Sequence, residues 1–287
     1  MNMKNYRETH IREAEIAQLI LLHQIYSQKE SRRLIFQGGT ALRWCYGGSR
    51  FSEDLDFVTS LAPKSVQTML QTALRGARNL MIAHFGPGTL ALRPKSARGE
   101  ALKCFVDFRP EAAREKISVK LKFEELLPEK APDVRQLVLS SLGSVAHLAA
   151  TGDFRVPRAS TVLVAETPEE ILSDKVRALL ERRYLKGRDF YDLWHLHTVL
   201  KIPADMNIIQ RKWTFYQAAF VARRDFRFFQ KPSKEEKSQM REAIEQDLSR
   251  FLPPEAMTVF RAGQYSDLLE AARALFEELS AKGVRLP

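Results

Sequence analysis

The sequence is poor in cysteine and has no long apolar run. Its 287 residues include only two cysteines, Cys45 and Cys104, which argues against a disulfide framework and against a cysteine-rich zinc site. The apolar run 16–22 is interrupted by Gln18 and ends at His23, so it is too short to cross a bilayer, and the charged N-terminus lacks a signal-peptide core. We therefore expect a cytoplasmic protein with no membrane partner.

Acidic residues are also in the minority. Lysine and arginine number 45 against 35 aspartates and glutamates, which gives a net charge of +10. A basic surface favours polyanionic partners such as nucleic acid, because neutralising phosphates releases counterions. The same charge also occurs in proteins that it merely keeps soluble, so both interpretations stay open. The composition, 45% hydrophobic and 28% charged, is otherwise that of an ordinary globular protein, and the length allows two modest domains.

Hydrophobic periodicity divides the chain into an α/β part and a helical part. Apolar residues at helical spacing predict helices over ~9–29, ~65–83 and, after a turn, 40–46. Strands are predicted at 33–36, 55–58, 89–93, 102–108 and 116–123. The last is the clearest, since Ile117 and Val119 alternate with Ser118 and Lys120. This pattern predicts a mixed sheet with flanking helices.

The rest of the chain reads as mostly helical. Thr167, Pro168 and Glu170 predict a helix start with a capping box, and Gly187 interrupts the helical pattern that follows. Further helices are predicted over ~206–229, ~233–251 and ~264–281. The composition shift places the boundary at 165/166, so we predict domains at 1–165 and 166–287.

Asp54 and Asp56 are the first candidate for chemistry. Their spacing of two residues on a strand puts both carboxylates on one face. Two adjacent carboxylates do not both stay ionised without a nearby cation, and Mg²⁺ prefers carboxylates together with substrate phosphates and water. A solvated acidic loop produces the same short pattern, so the pair alone does not decide between the two.

Paired glycines precede these acids. Gly38 and Gly39 follow a predicted strand, and such a turn lets backbone N–H groups approach phosphate closely. The helix that begins near Thr40 adds the positive end of its dipole, and Ser52 offers a hydroxyl for the same phosphates. An ordinary strand-to-helix turn is the alternative.

Two stretches of sequence resemble one family. Residues 36–42, Phe-Gln-Gly-Gly-Thr-Ala-Leu, and 50–57, Arg-Phe-Ser-Glu-Asp-Leu-Asp-Phe, resemble the nucleotidyltransferase signature of the AbiEii/AbiGii toxin family. That family lies in the polymerase-β-like superfamily and includes the MenT toxins, which transfer nucleotides to the acceptor end of tRNA. Residues 170–193 are similar to a second motif of the family. The resemblance covers ~30 to ~200, and no motif is found in the tail.

The resemblance implies a fold, a reaction and a set of site residues. The fold would be a nucleotidyltransferase mixed sheet followed by a helical C-terminal domain that completes the active site. The catalytic residues would be Asp54, Asp56, Lys175 and Asp189, with Asp54 and Asp56 as metal ligands. The nucleotide-binding residues would be Gly38, Gly39, Thr40, Ser52, Lys175, Arg188 and Asp192.

The implied reaction transfers a nucleoside monophosphate from an NTP to an RNA, with tRNA as a candidate, or to another hydroxyl. Mg²⁺ or Mn²⁺ would be the cofactor, and the protein would be the toxin of a toxin–antitoxin pair, with a cognate antitoxin as partner. The stripe of Lys120 and Lys122 would serve the nucleotide or an RNA end. From the residues alone, Lys175 is equally explained by an ion pair with Glu170 or Asp174, and Arg188 by an i, i+4 pair with Asp192.

One position departs from the superfamily pattern, which has a third carboxylate on a later strand. Lys122 stands where that acid is expected; Asp107 is the first candidate to replace it, and Glu124 is a weaker one. If neither serves, Asp189 must complete the set. The departure also supports an alternative function, a catalytically degenerate nucleotide- or RNA-binding module. A haloacid-dehalogenase phosphatase is disfavoured, because residues 48–53 are not the strongly apolar strand that its Asp-x-Asp motif follows.

Overall fold

A seven-stranded mixed sheet organises the first of two units, Arg7–Glu166, and helices make up the second, Thr167–Pro287. The computed structural model describes residues 7–95, 101–156 and 160–287. In chain order the strands are β1 (Leu34–Gln37), β2 (Asp54–Thr59), β3 (Gly88–Lys95), β4 (Ala101–Pro110), β5 (Ile117–Glu125), β6 (Val134–Val138) and β7 (Val162–Glu166). Their order in the sheet is β3-β4-β5-β2-β1-β7-β6.

The centre of the sheet contains its parallel pairs. β2 pairs parallel with β5, and β1 pairs parallel with β7, whereas the other neighbours are antiparallel. Among the described residues of this unit, the α-helices are α1 (Glu8–Tyr26), α2 (Gly38–Cys45), α3 (Pro63–Phe85) and α4 (Gly143–Ala150). The predicted α/β class and the five predicted strands are confirmed. β6, β7 and α4 were not predicted.

The core of this unit lies between the sheet and the helices α1 and α3, which pack on each other and on the sheet. Leu19 and Ile20 of α1 are fully buried, as their helical spacing predicts. Phe57 of β2 stacks on Phe123 of β5, with ring centroids 5.0 Å apart. Burying one such ring contributes about 1.5–3 kcal/mol, so apolar burial on this face holds the two strands that present the polar residues of the other face.

The second unit contains seven described α-helices. They are α5 (Pro168–Glu181), α6 (Gly187–Trp194), α7 (Met206–Lys212), α8 (Arg227–Gln230), α9 (Lys234–Leu248), α10 (Pro254–Ala262) and α11 (Ser266–Ala281). A π-helical turn, His195–Val199, extends α6. Within the described ranges, no helix combines the length and apolar character that a membrane span requires.

Two helical predictions need correction. Thr167 does cap α5 by accepting from the Glu170 N–H, but the predicted capping box is incomplete, because the Glu170 carboxylate pairs with Arg211 and Lys212 instead. The single helix predicted over ~206–229 is wrong, since α7 ends at Lys212 and α8 begins only at Arg227.

The chain between α7 and α8 is held by contacts that a helix would not make. The guanidinium of Arg224 donates to the carbonyl oxygens of Leu179 and Arg182, which lie at the C-terminal end of α5. Trp213 stacks on Phe220, with centroids 4.6 Å apart. Arg224 therefore caps carbonyl groups at the end of α5, and this contact outweighs the helical periodicity of residues 206–229.

Candidate active site

Asp54 and Asp56 stand on one face of β2, and both are half-buried. The strand begins at Asp54, and the intervening Leu55 is fully buried on the other face with Phe57. The Nζ of Lys120, opposite Asp54 on β5, lies 2.6 Å from its Oδ2. The structure thus places the predicted pair of carboxylates side by side and gives one of them a lysine partner.

The predicted glycine turn lies against these acids. Gly38 has a φ of +77°, in the left-handed region that favours glycine, and a Cβ there would lie 3.3 Å from the Oδ2 of Asp56. A Cβ at Gly39 would overlap the guanidinium of Arg50, a side chain that is 3% exposed. Only glycine brings the α2 backbone this close to Asp56 and Arg50.

Thr40 and Ser52 connect the start of α2 to the start of β2. The Thr40 hydroxyl donates to the carbonyl oxygen of Asp54, and its oxygen lies 2.8 Å from the Ser52 Oγ. Both side chains are buried. These contacts hold the glycine turn beside the aspartates. Nucleotide binding by the two hydroxyls stays a prediction.

The two candidates for a third carboxylate lie in different surroundings. Glu124 is on β5, on the same face as Asp56; its carboxylate accepts from Gln37 at 3.2 Å and pairs with Lys122 at 2.7 Å. Lys122 itself is directly opposite Asp56 in the strand register. Glu124 is therefore the acid on β5 that stands next to the predicted metal ligands.

The Asp107 carboxylate is held by partners other than the predicted metal ligands. It lies on β4 opposite Ser118, and its carboxylate accepts from Ser118 at 2.6 Å, from Lys116 at 2.6 Å and from Arg93 at 3.1 Å. Burial would raise its pKa, but these three hydrogen bonds outweigh burial and lower the pKa to about 2. β5 separates the strand of Asp107 from β2. Asp107 is therefore a weaker candidate than Glu124 for the third carboxylate.

The donor set suits a hard divalent cation. Burial raises the pKa of Asp56; Lys122 opposes this, and the neighbouring carboxylates Asp54 and Glu124 add to it. Among residues 7–95, 101–156 and 160–287, no three His, Cys, Asp or Glu side chains are gathered closely enough to hold a metal by themselves. Mg²⁺ commonly binds through one or two carboxylates and completes its shell with phosphate and water. The residues present fit that kind of site.

A second cluster lies within the helical unit. Lys175 of α5 places its Nζ 2.7 Å from an oxygen of Asp192 and 3.2 Å from one of Asp189, both on α6. Arg182 lies 3.1 Å from the other oxygen of Asp189. Both carboxylates are 1% exposed. Burial would raise the pKa of Asp189, but the charges of Arg182 and Lys175 outweigh burial and hold it well below its usual range.

These contacts show which acids Lys175 pairs with. It does not pair with Glu170 or Asp174 as the simpler explanation required, because both of those acids pair with the fully buried Lys212, each at 2.9 Å. The structure instead brings Lys175, Asp189 and Asp192 together, as the family motif implies.

Arg188, another predicted nucleotide-binding residue, contacts residues outside this cluster, although its charge also lowers the pKa of Asp189. It does not form the i, i+4 pair with Asp192; its backbone N–H donates to Asp247 at 3.0 Å, and its guanidinium lies over Phe251 at 4.8 Å. Lys186, next to α6, is half-buried. Burial, together with Arg188 and Arg182, lowers its pKa to about 8. The start of α6 is thus a crowded group of cations beside Asp189.

The family comparison agrees with this geometry. Residues 20–278 match the family model described as "Nucleotidyl transferase AbiEii toxin, Type IV TA system". The chain belongs to the AbiEii nucleotidyltransferase toxin family. The match spans both the glycine–aspartate turn and the lysine–aspartate cluster, so the resemblance in the two motifs is confirmed.

Solved structures show the same fold as this AbiEii nucleotidyltransferase. A Helicobacter pylori protein assigned as a nucleotidyltransferase superposes with a TM-score of 0.57 at 16% identity, covering 96% of this chain and 98% of the other. JHP933 from Helicobacter pylori gives a TM-score of 0.55 at 16% identity, covering 97% and 96%. No curated protein sequence matches the chain significantly.

Three cations that lie near predicted site residues were not singled out from the sequence. Arg50 lies inside the first motif, between the glycines and Asp54, and its burial against Gly39 could not be seen from the sequence. Arg182 and Lys186 lie in the second motif. The available signal was the density of positive charge at 182–188, where four of seven residues are cations.

Proposed function

We propose that this AbiEii nucleotidyltransferase transfers a nucleoside monophosphate from an NTP to a hydroxyl of RNA, with tRNA as a candidate acceptor and Mg²⁺ or Mn²⁺ as cofactor. The observation that carries the proposal is the pair of half-buried aspartates on β2 beside the Gly38–Gly39 turn. Type IV toxin–antitoxin membership further suggests a cognate antitoxin as the protein's partner.

Asp54 and Asp56 would hold the cation. When bound, it supplies positive charge that neutralises the triphosphate and polarises the α-phosphate. The N–H groups at the start of α2 bind phosphate oxygens beside Asp56. Lys120 keeps the Asp54 carboxylate neutralised before substrate arrives, so cation binding has to displace this 2.6 Å ion pair.

In the transfer, the acceptor oxygen forms a bond to the α-phosphorus, and the bond from that phosphorus to the bridging oxygen breaks. Pyrophosphate is the leaving group. A carboxylate takes the hydroxyl proton, and we assign this role to Glu124, which lies on the same face as Asp56.

The helical unit holds a second group of cations whose chemistry suits a triphosphate. Lys175 would bind it as a compact charge, with Arg182 and Lys186 adding to the binding. Asp189 and Asp192 position the Lys175 ammonium through the 3.2 Å and 2.7 Å contacts. These roles are supported by the family motif and by the cluster itself.

Each α-³²P-labelled NTP, incubated separately with Mg²⁺, total tRNA and the purified protein, tests the proposal. We expect labelled RNA with at least one NTP, and we expect Asp54→Asn and Asp189→Asn to abolish it. Asp267→Asn, at an exposed aspartate of α11, is the matched control and should label as the wild type does. Label on protein alone would exclude an RNA acceptor, and no label with any NTP would favour the degenerate binding module.

A further inference from the structure

One face of β3, β4 and β5 is polar and basic. The opposite face carries Val106, Phe108 and Val119, which are buried where α1 and α3 pack on the sheet. The polar face carries the alternate residues of the three strands. Its cations on the outer two strands are Arg93, Lys95 and Lys103.

The strand register lines these residues up with the catalytic aspartates. One row across the sheet contains, in order, Arg93, Phe105, Lys120 and Asp54. The next row contains Lys95, Lys103, Lys122 and Asp56. Three strand spacings separate the two ends of each row, which is about 14 Å. A chain lying along either row would reach a predicted metal ligand.

Phe105 is the unusual member of this face. It is a half-buried aromatic ring among charged neighbours. The Arg93 guanidinium lies 4.6 Å from the ring centroid, and the Lys95 ammonium lies 5.9 Å from it. Bases of single-stranded RNA stack on such rings and on arginine planes at the surface of a sheet, while neighbouring cations bind the phosphates.

Two of the three cations of the outer strands have no acidic partner among the described residues, whereas Arg93 pairs with Asp107 at 3.1 Å. Lys103 and Lys95 make no ion pair with any residue in the part of the chain that the structure describes. Lys120 and Lys122, by contrast, pair with Asp54 and Glu124. The cationic end of each row therefore lies far from the aspartates. If the end of a polyanion reached the aspartates, the rest of the polyanion would lie over the cationic ends of the rows.

We propose that Arg93, Lys95, Lys103 and Phe105, the basic strip, bind the single-stranded end of the acceptor RNA. One base stacks on Phe105, phosphates contact Lys95 and Lys103, and the terminal hydroxyl is led along the rows toward Asp54 and Asp56. This inference rests on the proposed function. Charge complementarity favours any polyanion, and the aromatic ring within the strip selects RNA over an acidic protein.

Binding of a fluorescein-labelled 12-nucleotide single-stranded RNA, measured by anisotropy without NTP, tests the strip apart from catalysis. Phe105→Leu should weaken binding about 5- to 100-fold with an unchanged salt dependence, and Phe105→Trp should restore it. The double variant Lys95→Gln/Lys103→Gln should reduce the slope of log affinity against log salt by about 1.4, since each phosphate contact contributes about 0.7.

Two controls lie on α3, which packs on the opposite face. Lys64→Gln removes an exposed lysine, and Phe85→Leu changes a half-buried ring; both should bind RNA as the wild type does. Wild-type RNA binding by Phe105→Leu and by the double lysine variant, with unchanged melting temperatures, would overturn the proposal. A second result would also overturn it. In that case the double lysine variant binds both poly-glutamate and RNA more weakly than the wild type does, while Phe105→Leu binds both as the wild type does.

The labelling assay separates the two proposals. Binding through the strip without any labelled RNA would refute the proposed transfer and leave the strip as an RNA-binding surface. If RNA is labelled and every strip variant keeps the wild-type KM for RNA and the wild-type affinity for RNA, the strip is refuted and the transfer stands.

Discussion

Gly187, the first residue of α6, lies directly against the backbone of α9. A methyl group at this position would lie 2.6 Å from the Cα of Ile244, 2.8 Å from its carbonyl oxygen and 2.9 Å from the carbonyl oxygen of Ala243. Non-bonded carbon atoms prefer about 3.5–4.0 Å. Since all three contacts are to backbone, no side-chain rotation relieves them, and Gly187→Ala must move the two helices apart by about 1 Å.

The cost of this movement has two parts. Overpacking of a well-packed contact costs about 1–3 kcal/mol of folding free energy, and we expect the upper half of that range. At roughly 4 °C per kcal/mol for a unit of this size, the melting temperature falls by about 8–12 °C. α6 also carries Asp189 and Asp192, and a displacement of about 1 Å can cost about 100-fold in rate. We therefore expect kcat to fall with stability.

Differential scanning calorimetry and NTP-transfer kinetics measure the two effects. Gly263→Ala is the matched control in the same unit, because its φ is −80° and the nearest atom to an added Cβ is the Ser266 Oγ at 3.4 Å. It should stay within about 0.5 kcal/mol of the wild type. If Gly187→Ala melts within 1 °C of the wild type and keeps its kcat, α6 and α9 are not packed as tightly as argued.

Three further predictions follow from individual contacts. Lys212→Met leaves the buried carboxylate of Glu170 and the half-buried carboxylate of Asp174 without their lysine and should cost about 3–5 kcal/mol in urea unfolding. Arg273→Met, on exposed pairs, should leave the urea midpoint close to that of the wild type; equal losses would contradict this. The pKa of Lys186 is about 8, so its ammonium loses its proton as pH rises through 8, and the KM for NTP should rise from pH 7 to 9. Lys186→Arg should remove this rise in KM. A rise that persists in Lys186→Arg would exclude Lys186 as its source. Gly38→Ala strains a φ of +77° beside Asp56 and should lower both transfer rate and stability, the latter by about 1–2 kcal/mol in thermal unfolding, and a neutral variant would argue against the close approach.

The local patterns of the sequence were sufficient for most of the α/β unit. Alternation along residues 117–123 predicted a strand with an apolar and a basic face, and the structure has both. Spacing of two residues put Asp54 and Asp56 on one face. Such predictions succeed because side-chain direction along a strand depends only on backbone pleating, which is a local property.

The third carboxylate was beyond the reach of local patterns. From the sequence Asp107 was the first candidate and Glu124 the weaker one, until the register showed that β5 lies between β4 and β2, with Lys122 opposite Asp56. Strands that pair across some sixty residues of chain have no short-range signal for their register. A shift of a single residue would turn every side chain to the other face.

Partner choice in the helical unit was likewise a tertiary property. Glu170 and Asp174 are closer to Lys175 along α5 than the acids of α6 are, yet Lys212 pairs with both of them. Buried charges must be paired, and whichever cation the packing brings nearest takes that role.

The sequence by itself thus determined the class of fold, the glycine turn and the paired aspartates, because these depend on neighbours within a few residues. Only the tertiary structure decided which charges meet: Lys120 with Asp54, Lys175 with Asp189 and Asp192, and the basic rows of β3 and β4 with the aspartate edge. Electrostatic and packing contacts act through space and not along the chain, so their pairing follows from strand register and helix packing.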